Sequence, residues 1–75
     1  MDKALQAANE IIKSIRSKHP DLPNMVVSPS GRELRPACVV FETTDPNYRL
    51  FVSRFGGPAW LENPSNIFFD NGEVQ

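Results

Sequence analysis

The sequence predicts an α+β domain, in which one N-terminal amphipathic helix packs on a small antiparallel β-meander of four to five strands. Three observations carry this reading. Apolar residues recur at helical spacing from Ala4 to Ile15, and beyond residue 24 the chain changes to β-branched and aromatic runs. Those runs are separated by stretches rich in Pro, Asp, Asn and Gly. A chain of 75 residues makes one small domain, 1–75, with a thin margin of stability.

In the first segment, Leu5, Ala8, Ile12 and Ile15 form the apolar stripe, and Ala4 and Ile11 widen it. Lys3, Glu10, Lys13 and Arg16 lie away from it. Asp2 is placed to cap the N-terminus, where a carboxylate meets the positive end of the helix dipole. Lys13, Arg16, Lys18 and His19 gather at the opposite end, and Pro20 stops the helix. The helix is therefore expected over about 2–18.

Met25-Val26-Val27-Ser28 reads as a short strand, 24–28, followed by a turn at Ser28-Pro29-Ser30-Gly31. Pro36 then disfavours a central strand at that point. A hairpin follows, with strands at 37–43 and 48–55 around Asp45-Pro46-Asn47-Tyr48, whose Asp and Pro suit the first two positions of a type I turn. Alternation puts Tyr48, Leu50 and Val52 on one face and Arg49, Phe51, Ser53 and Phe55 on the other. Both faces are partly apolar, so the pattern leaves open which one the helix covers. Residues 56–66 read as one long irregular stretch holding the single tryptophan, Trp60. Short strands at 66–69 and 73–75 around Asn71-Gly72 close the chain. The helix stripe is expected to meet Val26, Val39, Phe41, Leu50 and Val52.

Net charge is −1, from 8 basic and 9 acidic residues, which argues against a chain that coats nucleic acid. The bases concentrate between Lys13 and Arg54, while the segment after Arg54 has acids only. The single cysteine, Cys38, excludes an intramolecular disulfide, and no Cys/His spacing suits zinc. No apolar run approaches a membrane span, and the N-terminus lacks the apolar core of a signal peptide. A cytoplasmic, cofactor-free chain is the expectation.

Catalytic groups are sparse. His19 and Cys38 are the only His and Cys, one at the helix end and the other in a strand. The acid pairs Glu42 with Asp45 and Asp70 with Glu73 fall at turns, where carboxylates face water. Gly56-Gly57 lacks the spacing and the following helix of a phosphate loop. Enzymatic activity is not expected.

Two short stretches resemble known families. Phe51-Val52-Ser53-Arg54-Phe55-Gly56-Gly57-Pro58-Ala59-Trp60-Leu61 resembles a Ser-Lys-x-Gly-Gly-x-Pro-x-Trp-Leu segment of programmed-cell-death-2-like proteins, with one residue missing after Gly57 and no cysteine-rich continuation. The first helix with His19-Pro20-Asp21-Leu22-Pro23 and Met25-Val26-Val27 is similar to the entry of some SprT-like metallopeptidases. The His-Glu-x-x-His helix that defines that activity does not occur, so a peptidase role does not carry over.

What remains is a surplus of groups that anchor interfaces. Arg49, Phe51, Arg54, Phe55 and Trp60, with Arg32 and Arg35, form the expected partner-binding set. Trp60 has two readings, a plug for the open end of the core or an anchor for a partner. The expectation is a non-catalytic protein-interaction module, such as a compact inhibitor or accessory subunit binding a larger protein, with a homodimer as a further option. The alternative is single-stranded nucleic-acid binding by an Arg/aromatic sheet face.

Overall fold

In a computed structural model of the chain, residues 3–70 are described. One helix, α1 (Lys3–Lys18), precedes strands β1 (Val27–Leu34), β2 (Cys38–Thr43), β3 (Arg49–Ser53), β4 (Ala59–Glu62) and β5 (Ile67–Phe69). The strands pair antiparallel in chain order, β1-β2-β3-β4-β5, and α1 packs on one face of that open sheet. The expected cap at Asp2, the Asn71-Gly72 turn and the strand at 73–75 lie outside the described residues.

The helix ends where the sequence places its stop. His19 still donates its N–H to the Ile15 carbonyl at 2.9 Å, and Pro20 cannot continue the ladder. Ala8, Ile12 and Ile15 are buried against Leu22, Met25, Val27, Phe41, Leu50 and Leu61. Each large aliphatic side chain removed from water there contributes about 1.5–3 kcal/mol. One expected contact is corrected. Val26 is 51% exposed, and Met25 and Val27 face the core instead. Strand side chains alternate, so a one-residue phase error exchanges the inner and outer sets.

A second tie fixes this phase. The Val27 N–H donates to the Asn9 side-chain oxygen at 2.9 Å, joining α1 to β1. Asn9→Ala would leave a donor of the buried Val27 unpaired, at an expected loss of about 1–3 kcal/mol. Hydrogen exchange at the Val27 amide should accelerate in the variant. Unchanged exchange would show that the contact contributes little.

The turn expected at Ser28–Gly31 is also corrected, because β1 runs through it. Val27 pairs with Thr43 and Arg32 with Phe41, so five steps along β1 match two along β2. The surplus is a bulge holding Pro29, which has no N–H to give and is tolerated on an edge strand at such an irregularity. Turn chemistry here bends a strand without reversing the chain. Gly31 lies so close to β2 that an added Cβ would sit 2.8 Å from the Glu42 Cβ. Gly31→Val is therefore expected to destabilise by roughly 1–3 kcal/mol in chemical denaturation.

The β2–β3 hairpin forms as its residues suggest. Tyr48 N–H donates to the Asp45 carbonyl at 3.0 Å and Asn47 N–H to the Asp45 carboxylate at 3.0 Å. The buried Thr43 hydroxyl braces the turn, accepting from Asp45 N–H at 3.1 Å. The next segment departs from expectation. Ala59–Glu62, read from sequence as part of a loop, is β4, paired with β3 on one side and β5 on the other. Gly56, at φ 77°, allows the tight β3–β4 reversal that brings it there.

Candidate interaction face

Register decides which side chains share a face. Val39, Phe41, Leu50, Val52, Leu61 and Phe68 point toward α1 and join the core. Their strand neighbours point the other way, onto a face that the helix leaves open. Directly paired residues form two rows across it. The first is apolar, Val40 opposite Phe51, Phe51 opposite Trp60, and Trp60 opposite Phe69. The second is charged, Glu42 opposite Arg49 and Arg49 opposite Glu62, with Ile67 at its end.

The aromatic row is ordered by its own contacts. The Phe51 and Trp60 rings stack with centroids 5.3 Å apart and planes 2° from parallel. Phe69 lies 6.1 Å from Trp60 at a 44° tilt. Pairs of this kind contribute about 0.5–1.5 kcal/mol beyond the area they bury. The indole N–H donates to Glu62 Oε2 at 2.8 Å, which helps hold the ring in one orientation. Trp60 is thus half-buried within a strand on the open face, and it does not plug the helix-covered core.

Beside the row, Gly31, Glu33, Arg35, Val40, Glu42 and Arg49 surround a polar depression of about 410 Å³. Arg35 and Glu33 are ion-paired at 2.9 Å across its rim. Both side chains are about half exposed, so that pair contributes little to stability.

The structure gathers only part of the sequence-derived set. Arg49, Phe51 and Trp60 meet on the open face, with Arg35 at its edge. Arg54 sits in the β3–β4 turn, where its Nε donates to the Arg35 carbonyl at 2.6 Å. Phe55, 88% exposed, occupies the same turn beyond the end of the row. Arg32 pairs with Phe41 on the helix side and borders an apolar groove between α1 and β1. Phe69, Ile67 and Glu62 join the face from outside the sequence-derived set. The adjacent pair Phe68-Phe69 already implied one exposed ring, since neighbours in a strand point to opposite faces, but alternation alone did not say which.

The candidate catalytic pair is kept apart. Cys38 alternates with Val39 onto the open side, opposite Ser53. His19 meets Phe68, a core-facing residue of β5, edge-on at 5.1 Å. Three strand spacings and the thickness of the sheet separate the two. Among the described residues no group of three His, Cys, Asp or Glu side chains is placed to hold a metal ion. No described helix is long and apolar enough to cross a membrane. Comparison with protein-family models, with curated proteins and with solved structures gives no match.

Proposed function

We propose that this protein is a non-catalytic interaction module that docks on another protein through the open face of its sheet. One observation carries the reading. A stacked Phe51–Trp60 pair, extended by Phe69 and by Ile67 at 54% exposure, lies part-exposed on the face of a five-stranded sheet that the helix does not cover. Aromatic side chains already held by stacking and a hydrogen bond present contact area with little rotamer entropy left to lose on binding, and a rim carrying both charge signs favours a protein surface. Action by steric occlusion, as an inhibitor or an accessory subunit, needs no chemistry beyond such a face.

Single-stranded nucleic acid is the second reading, favoured by Arg49 beside the stacked rings. Glu33, Glu42 and Glu62 on the same face oppose it, because a phosphate backbone would meet carboxylates. The test is capture from native-source lysate with tagged wild-type, Trp60→Ala and Phe55→Ala proteins, with and without nuclease and at raised salt. Capture that resists nuclease and salt, fails with Trp60→Ala and survives Phe55→Ala supports the protein reading. Capture abolished by nuclease moves the function to nucleic acid, and capture indifferent to Trp60 overturns the site.

A further inference from the structure

We infer that the open face fits a second copy of this chain, in a two-fold dimer whose axis runs parallel to the strands between β3 and β4. The inference rests on the reading of this face as a protein-docking surface and names its partner. A two-fold axis lying in the interface along the strand direction reverses the order of the strands and keeps each row at its own height. Each residue on the face therefore meets the residue of the same row at the mirrored strand.

The charged row selects the axis position. Glu42, Arg49 and Glu62 stand on β2, β3 and β4 with alternating sign. An axis on β3 would set Arg49 against the partner's Arg49, which costs affinity. An axis between β3 and β4 sets Arg49 against the partner's Glu62, and by symmetry makes that contact twice. The indole N–H engages Oε2 of Glu62, leaving the carboxylate's other oxygen to accept from the arginine. The same axis sets Phe51 against the partner's Trp60 and brings the partner's Phe69 over β2, where Val40 is already buried within its own sheet. Glu42 falls over the partner's Ile67, and Glu33 of β1, with Arg35 just past that strand, lies beyond the partner's β5 edge, in water. An axis between β2 and β3 also opposes charges, but it sets Trp60 against the partner's Glu33. Of these three placements, only the axis between β3 and β4 both opposes charges and sets Trp60 against an aromatic ring of the partner.

Size is consistent with a reversible dimer. The overlapping patch, β2 to β5, is roughly 19 by 17 Å from strand spacing and rise. With the relief of its side chains, the pair would bury on the order of 1,000 Å² in total, the low end for a specific interface. Weak and transient contacts sit at that end of the size range, so the dimer is to be sought from about 1 μM to 1 mM of chain.

Sedimentation equilibrium across that concentration range tests the inference, using wild type, Arg49→Glu, Glu62→Arg and an equimolar mixture of the two variants. Wild type is expected to dimerise. Each charge reversal puts like charges at both contacts and should weaken the dimer by roughly a hundredfold. Mixing the variants restores opposite charges at both contacts and should return dimers near wild-type affinity. If a variant proves unfolded by circular dichroism, dilution of the wild type decides, since iodide quenching of Trp60 must rise as the dimer separates and stay constant if none exists. A wild type that stays monomeric, dimers indifferent to both reversals, or a folded mixture without recovery each overturns it. A monomer whose Trp60 still governs capture from lysate sinks the self-docking alone. A monomer without such capture sinks the interaction-face reading as well.

Discussion

Leu50→Ala is expected to remove about half of the protein's folding stability. Leu50 is fully buried on β3, between Phe41 on β2 and Leu61 on β4, and belongs to the core under α1. Truncating a core leucine costs about 2–5 kcal/mol, the upper values applying where the surroundings cannot collapse into the cavity. A central strand held by ladders on both sides has little freedom to collapse. At about 0.05–0.15 kcal/mol per residue, a domain of 75 residues has on the order of 4–11 kcal/mol in total. Urea denaturation should show a large fall in midpoint with little change in slope. A loss below about 1 kcal/mol would mean that the core under the helix is not packed as described.

Trp60→Ala should have the largest effect on binding, with a smaller one on folding. The indole joins the Phe51–Trp60–Phe69 row at its centre, so its removal leaves the flanking rings unsupported and the Glu62 carboxylate without its donor. Anchors of this kind carry about 2 kcal/mol or more of interface energy, roughly a thirtyfold loss of affinity or greater. Stability should fall less than for Leu50→Ala, because the ring is only half-buried on the face away from the helix. Trp60 is also the only tryptophan, so its emission reports on this face alone. Titration with a genuine partner should protect it from iodide. A partner bound with undiminished affinity by Trp60→Ala would place the docking surface elsewhere, with the exposed Phe55 turn the next region to vary.

The fold was legible because its signals are local. The stripe Leu5, Ala8, Ile12, Ile15 and the stop at Pro20 depend only on helical period and on proline's missing N–H, and α1 follows them. The Asp45-Pro46-Asn47-Tyr48 reversal likewise depends on four consecutive residues and closes as expected. Other signals were misleading for a reason. Ser28-Pro29-Ser30-Gly31 has the composition of a turn, and a bulge uses the same chemistry to absorb surplus residues within a strand. Ala59–Glu62 is four residues between prolines, too short to show alternation, and becomes a strand only because β3 and β5 pair with both its edges.

The candidate site divides along the same line. Period-two alternation placed Arg49 and Phe51 on one face from the sequence alone, opposite Leu50 and Val52. Whether Trp60 would join them depended on β4 existing and on the register that sets it against Phe51, which no local pattern encodes. The same register brought in Phe69 and Glu62 and left Arg54, Phe55 and Arg32 off the row. The covered side was also a tertiary decision, since both faces carry apolar groups. The helix packs over Leu50 and Leu61, which bury completely, and Trp60 meets Glu62 on the opposite face, where its N–H finds an acceptor. Sequence determined the elements and their alternating faces, because those arise from backbone geometry within a few residues. Tertiary structure decided which faces met, because that choice depends on burial and hydrogen bonding between residues far apart in the chain.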